Sequence, residues 1–292
     1  MLVLERKSDL EIAVQEAEAG RSADGLHIAH SSFPLDAPGL DVGRSARIPA
    51  LSQQNVTQDP ADCVTCALFS RCGGEDSQQA ENYHLDMSRL SYSTHTAATR
   101  RTIRHPKEWS EFVLVICSGW AVSSIALPDG RRQVLSILLP GDIVCATSLF
   151  EPISGYAVDA ITDVSYRRFK RTDLKALLSR NYGLFERLAK IWTDESERAD
   201  QLALDLGRRR ADERVARFIL NLADRLVKRG MADGQTMDFP LRQRHIADAT
   251  GLTAVHVSKV LGEFQRLGMI KILDRALTIV DEKELRRVGA PH

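Results

Sequence analysis

The sequence predicts an α+β chain: a β-roll of the jelly-roll type, then one long helix, then a winged helix-turn-helix. Three observations carry this. Between Trp109 and about Lys170, apolar runs are cut by turn residues at intervals of roughly 8 to 12 residues, the texture of short strands. From Asn181 to Gly207 there is no proline, and apolar residues recur near helical spacing. From Gln243 to Gly262 two short helical patterns flank Gly251, and two strand-length runs follow them.

Taken in order, residues 1–55 form an extension. Leu4 to Ala19 has the pattern of a short amphipathic helix, and Gly20 to Gln54 is rich in Ser, Gly, Pro and Asp with little periodicity, which predicts flexibility. Residues 56–180 hold a cysteine-rich loop and the roll. Within the roll, Phe112–Cys117 is cut by Ser118-Gly119, Trp120–Leu127 by Pro128-Asp129-Gly130, and Val134–Leu139 by Pro140-Gly141-Asp142. Ile143-Val144-Cys145, Tyr156–Ile161 and Val164–Phe169 complete the strands. Residues 181–209 are the long helix, with Leu184, Leu188, Ile191, Leu202 and Leu206 on its apolar side. Residues 210–292 begin with a helix over about Ala211 to Arg229, carrying Val215, Phe218, Ile219, Leu222 and Leu226 on one side.

The helix-turn-helix then follows from what each position needs. Ile246 and Ala247 start an apolar face, and Ala247 is small because a second helix crosses close to it. Gly251 supplies the positive φ that ends the first helix, where a Cβ is penalised. Thr253 is an N-cap for the second helix, whose inner face is Val257, Val260 and Leu261. Its outer face is Ala254, Val255, His256, Ser258 and Lys259, and in this motif the first turns of the second helix lie in the DNA major groove. Met269–Leu273, the turn Asp274-Arg275 and Leu277–Val280 read as a two-stranded wing. An ordinary αα-hairpin is the competing reading of the helix pair alone.

Composition is that of a soluble protein: 292 residues, 43% apolar and 27% charged, with no run long enough to span a membrane and no secretory leader pattern, so a cytoplasmic location is expected. Formal net charge is zero, but residues 1–100 hold 8 Lys and Arg against 14 Asp and Glu, which leaves 31 against 25 for the remainder. The basic excess lies with the half that carries the helix-turn-helix.

Of the five cysteines, Cys63, Cys66 and Cys72 stand in a C-x2-C-x5-C run ending at Gly73-Gly74. Several thiolates within a short glycine-bearing loop are able to converge on one metal centre. A structural zinc site is an alternative, but zinc sites more often pair a second C-x2-C or histidines, no second pair exists here, and His84, His95 or His105 would each supply only an odd ligand. Three unrelated thiols are the remaining reading.

Roll, long helix and winged helix-turn-helix together resemble the CRP/FNR family of bacterial transcription regulators, over roughly residues 60–285. The string Arg210–Phe218 looks like the start of that family's DNA-binding domain, and Gly251-Leu252-Thr253, Val257-Ser258-Lys259 and Phe264–Met269 look like its recognition helix and wing approach. The resemblance implies a roll like that of cyclic-nucleotide-binding proteins, a homodimer joined through the long helix, a two-fold operator in double-stranded DNA, and RNA polymerase as a further partner. It implies DNA contacts from Thr253, Ala254, Val255, His256, Ser258 and Lys259.

The cysteine run is similar to that of the FNR branch, which implies a [4Fe-4S] cluster on Cys63, Cys66 and Cys72 with a fourth cysteine from the roll. The segment that carries this fourth cysteine in the branch has Ser165 here. Cys117 is the favoured replacement, because in the family's strand order its strand end lies beside the start of the Ser165 strand; Cys145 is the alternative, and a core cysteine is the plain reading of either. Oxygen, nitric oxide and general redox signals would use the same sulfurs.

Cyclic-nucleotide-binding relatives carry a Gly-Glu pair for the ribose and an Arg for the phosphate. Gly141–Thr147 and Ser154–Val158 contain neither the Glu nor the Arg, so no cAMP is expected. The recognition helix also departs from the best-known members, with Val255 in place of Glu and Lys259 in place of Arg. Glu accepts from cytosine N4, whereas Val touches only a thymine methyl, so a different half-site is implied. Charged residues Asp194, Glu195, Glu197, Arg198 and Asp200 interrupt the apolar seam of the long helix, which predicts a weak, conditional dimer. A redox enzyme with an accessory helical domain is the reading from another class, but no GxGxxG, Walker or Ser-His-Asp pattern supports it.

Overall fold

A computed structural model describes residues 90–144 and 146–289. The expectations for residues 1–55 and for Cys63, Cys66, Cys72 and Cys145 lie outside the described residues.

The roll is built from β1 (Tyr92–Ala97), β2 (Thr102–Arg104), β3 (Phe112–Ser118), β4 (Ala121–Ala126), β5 (Arg132–Leu138), β6 (Ile143–Val144), β7 (Ala157–Ala160) and β8 (Val164–Lys170). They form two four-stranded antiparallel sheets, ordered β1-β8-β3-β6 and β2-β7-β4-β5, and do not close into one barrel. Leu114, Ile116, Leu138, Val158 and Val164 fill the space between the sheets. The near-continuous apolar run of β3 follows from burial on both faces: Leu114 and Ile116 point between the sheets, while Val113 and Val115 pack outward against helices. Those helices are α1 (Arg171–Leu178) and the start of α2 (Tyr182–Arg208), which supply Leu174, Leu178, Leu184 and Leu188.

The strands from β3 onward match the sequence expectation in place and order. β1 and β2 were not expected, because Tyr92-Ser-Thr-His-Thr-Ala alternates polar residues with few aliphatic ones. β1 is the edge strand of its sheet, where such a face is tolerated. Helix α1 was also missed, although Leu174 and Leu178 stand four apart and both are buried.

Helix α2 is capped by Asn181, whose side chain accepts from the Leu184 amide at 3.0 Å. Its 27 residues span about 40 Å at 1.5 Å each. Its first turns are buried on the roll, but beyond Trp192 no residue is fully buried, and the charged stretch around Asp194–Asp200 is responsible. Helix α3 (Ala211–Lys228) begins at Arg210, whose amide donates to the Glu213 carboxylate.

The C-terminal part adds β9 (Ala232–Asp233), β10 (Thr236–Asp238), α4 (Gln243–Thr250), α5 (Ala254–Arg266), β11 (Ile270–Leu273), β12 (Ala276–Ile279) and α6 (Glu282–Gly289). The wing is β11 and β12, joined by Asp274 (φ 47°) and Arg275 (φ 63°), a tight hairpin turn with two residues in the left-handed region. It belongs to a larger sheet, β11-β12-β10-β9, whose last two strands are too short to leave a periodic signal.

The core of this part, with Val215, Ile219, Leu226, Ile246, Val257 and Leu277, is continuous with the outer face of the second roll sheet, through Val122, Val134 and Ile137. Each such side chain contributes about 1.5–3 kcal/mol by leaving water. Roll and helix-turn-helix therefore share a core within one chain. Among the described residues no helix is long and apolar enough to cross a membrane.

Candidate nucleic-acid interface

Helix α4 ends at Gly251, at φ 66°, and the amides of Gly251 and Leu252 return to Ala247 O. A Cβ on Gly251 would stand 2.8 Å from Leu206 Cδ2 at the end of α2, so the leucine tip would have to move, while the positive φ is what requires glycine. Thr253 Oγ1 accepts from the His256 amide at 3.2 Å and starts α5. Val257, Val260, Leu261 and Phe264 are buried, which turns the opposite face outward.

Thr253, Ala254, Val255, His256, Ser258 and Lys259, all six expected on the reading face, are exposed, and Val255 is 68% exposed. An aliphatic side chain that open at the start of a polar surface is suited to a thymine methyl and offers nothing to cytosine. Gln243, at the start of α4, donates from Nε2 to Ser258 Oγ at 3.2 Å and so joins the same face. The sequence reading missed Gln243 and the exposed Arg242 and Arg244 beside it; the run Leu241-Arg242-Gln243-Arg244 was the available signal.

The helix-turn-helix is held from three directions. Arg132, at the start of β5, donates to Asp248 of α4 at 3.1 Å, and Gln133 donates to Ala249 O. Arg214 of α3 donates to Arg209 O and to Thr250 O, tying the α2–α3 joint to the end of α4. Leu206 of α2 lies against Gly251.

A second junction lies at the turn between β5 and β6. The Asp142 carboxylate accepts from Arg225 of α3 at 2.8 Å, from Arg229 just beyond α3, and from the Leu139 amide. Burial pushes this carboxyl up, but the two guanidiniums and its hydrogen bonds outweigh burial and hold it below the usual range. Burial lowers Arg225 in turn, partly offset by Asp142. Glu195 of α2 borders the junction, and burial raises its carboxyl, with Arg198 opposing and Asp142 adding to the rise.

Cys117 lies near the end of β3, where the pairing with β8 shifts: Ile116 opposes Tyr166 and Ser118 opposes Ser165, so Cys117 is the bulged residue beside Ser165. Its thiol is half-buried, lies 3.7 Å from Val115 O, and packs in the same cluster as Leu90, Tyr92 and Trp192. Among the described residues no group of three or more His, Cys, Asp or Glu side chains converges as a metal site.

Two family models match the chain, one for a cyclic nucleotide-binding domain over residues 95–181 and one for a Crp-like helix-turn-helix domain over residues 213–288. The chain is 32% identical to the nitrogen fixation regulation protein FixK of Bradyrhizobium diazoefficiens over 168 residues, 56% of this chain and 68% of the relative. It is 30% identical to the transcriptional activatory protein AadR of Rhodopseudomonas palustris over 249 residues, 83% of this chain and 100% of the relative. The solved structure of FixK2 from Bradyrhizobium japonicum matches with a TM-score of 0.64 at 28% identity, covering 70% of this chain and 100% of that one. With the roll, the long helix and the outward-facing α5 in this order, the chain belongs to the CRP/FNR family of DNA-binding transcription regulators.

Proposed function

We propose that the chain is a conditional regulator, which reads a two-fold DNA site as a homodimer and takes its signal from an iron-sulfur cluster on Cys63, Cys66, Cys72 and Cys117. The observation that carries the reading side is the exposed face of α5, with Val255 to select a thymine methyl, Lys259 to donate to guanine or phosphate, and Thr253, Ala254, His256 and Ser258 around them. In a dimer joined along α2, two such helices stand about 34 Å apart, one turn of DNA. The name of AadR, a transcriptional activatory protein, favours activation, with RNA polymerase as the further partner.

What supports Cys117 as the fourth ligand is its half-buried thiol in the bulge next to Ser165, in a cluster that also contains Leu90. Cys72 precedes Leu90 by 18 residues in the sequence. A cluster there would supply an oxygen-labile or redox-labile crosslink. The chain's own part is to hold the thiolates and pass their presence through β3 and β8 to the packing of Val113, Val115 and Phe169 against α1 and α2.

Anaerobic purification with iron, sulfide and zinc analysis tests this: four iron and four sulfide per chain are expected in a [4Fe-4S] protein, whereas colourless protein with one zinc per chain would overturn it. Cys145 is the alternative ligand, and comparing the cluster content of Cys117→Ala and Cys145→Ala decides between them.

A second reading concerns the roll itself. We propose no cAMP site, since Asp142 is engaged by two arginines and Ser154 bonds within its own turn. One observation favours an anion nonetheless: Arg104 of β2 is 2% exposed, donates once, to Pro152 O, and leaves Nε and Nη1 without a partner. Calorimetric titration with cAMP and with inorganic phosphate separates these, with no heat from cAMP expected.

A further inference from the structure

A cleft of about 580 Å³ lies between the roll and the helix-turn-helix, and no residue of α2 lines it. Five arginines line it, from four places in the chain: Arg100 in the β1–β2 turn, Arg132 on β5, Arg242 and Arg244 at the start of α4, and Arg275 in the wing turn. Arg132 is neutralised by Asp159 and Asp248. The other four have no carboxylate partner among the described residues, and Asp159 is the only acid in the lining. Val122, Phe239 and Ile272 supply apolar wall.

Two further features point to an occupant. Arg100 carries a positive φ of 69°, a conformation that glycine or asparagine takes more readily than arginine, whereas the 63° of Arg275 belongs to the β11–β12 hairpin turn. The second feature is His245, which is 7% exposed and lines the cleft. Its Nδ1 accepts the Arg242 amide at 3.1 Å, which closes the start of α4. Arg244 Nε also points at the ring, 3.3 Å from His245 Nε2. A neutral imidazole accepts at one nitrogen only, so one of these two contacts sets donor against donor at the edge of a basic cleft.

We propose that this cleft is a binding site for the phosphate groups of a polyanion of about nucleotide size. Arg100, Arg244 and Arg275 hold the phosphates, His245 Nε2–H donates at the floor, and the apolar wall takes the remainder of the ligand. The volume is within the range of small-molecule sites. Phosphates have two sources, a free nucleotide-like anion or the backbone of DNA that runs past α5 toward the roll. The site stands without the DNA-binding reading, and only the second arm of its test depends on that reading.

The test uses the full chain and two variants, Arg100→Asn and Arg100→Asn with Arg275→Asn. Asparagine tolerates positive φ, so the variants should melt at or above the wild-type temperature, which separates loss of binding from loss of fold. In the first arm, inorganic tripolyphosphate is titrated calorimetrically: one saturable site per chain in the wild type, weakened tenfold or more in the double variant, supports a free anion. In the second, DNA affinity is measured against salt on a short duplex and on one extended past both half-sites. A shallower salt slope for Arg100→Asn on the extended duplex alone assigns the phosphates to DNA. If tripolyphosphate shows no saturable site and both duplexes bind wild type and Arg100→Asn alike, the proposal is overturned.

Discussion

Asp142, in the turn that closes β5 of the roll, and Arg225, near the end of the first helix of the DNA-binding part, meet at 2.8 Å, with Arg229 on the other carboxylate oxygen. The acid joins the roll to α3. Removing it leaves two guanidiniums largely out of water, each 16–18% exposed. Asp142→Asn is expected to cost about 3 kcal/mol, the range for breaking one side of a buried pair. Urea unfolding should show this, and Arg225→Met in the same background should cost less than it does alone.

Leu206 and Gly251 give the next prediction. Gly251→Ala introduces a Cβ at φ 66° and 2.8 Å from Leu206 Cδ2, so it should cost more than the roughly 1 kcal/mol of the backbone term alone. Combining it with Leu206→Ala removes the collision and leaves the backbone cost. Additive losses in the double variant would show that the end of α2 does not bear on the helix-turn-helix.

His245 sets a pH dependence. Burial, with Arg244, Arg132 and Arg242 adding to it and Asp248 opposing, lowers its pKa from 6.5 to about 4. The unfolded chain therefore binds a proton between pH 6.5 and 4 that the folded chain refuses, and stability falls as pH drops through that window. The contribution is present in full above pH 6.5, and its slope approaches about 1.4 kcal/mol per pH unit for one proton. Asp142, held below the ordinary carboxylate range, stays clear of the upper part of the window, whereas Glu195, raised by burial, works against the His245 limb and His95, lowered by burial, adds to it. His245→Gln should flatten the pH 6.5 to 4.5 limb of a thermal-unfolding series; an unchanged limb would assign the proton elsewhere.

On the reading face, Lys259→Ala should lower affinity. If Lys259 contacts phosphate, the salt slope falls by about one charge and sequence preference is kept; if it reads guanine, one base pair loses about 1–3 kcal/mol of discrimination. Val255→Glu should move preference at one position from thymine toward cytosine on the contacted strand. Selection from a randomised half-site checks both.

The strands from β3 to β8, the long helix and the outward face of α5 were legible because periodic burial and turn residues leave local marks. Gly251 and Thr253 announced their conformations, and Val257, Val260 and Leu261 their burial. Cys117 beside Ser165 followed from strand order and is where the register shifts. What the sequence did not show depends on pairing between distant segments. The polar β1 is a strand because β8 offers it an edge, and Asp142 is clasped because α3 brings Arg225 and Arg229 across more than eighty residues. Arg132 meeting Asp248, 116 residues away, and the arginine cleft beside it have the same origin.

In the proposed mechanism α5 reads DNA only when the cysteine-held cluster is intact. Footprinting the anaerobically purified chain on a selected operator, before and after exposure to air and with Cys72→Ser alongside, tests it most directly. Two half-sites about one helical turn apart should be protected by the anaerobic wild type, with protection lost in air and absent in Cys72→Ser, while that variant's DNA-binding part stays folded. Equal protection in all three samples would contradict it.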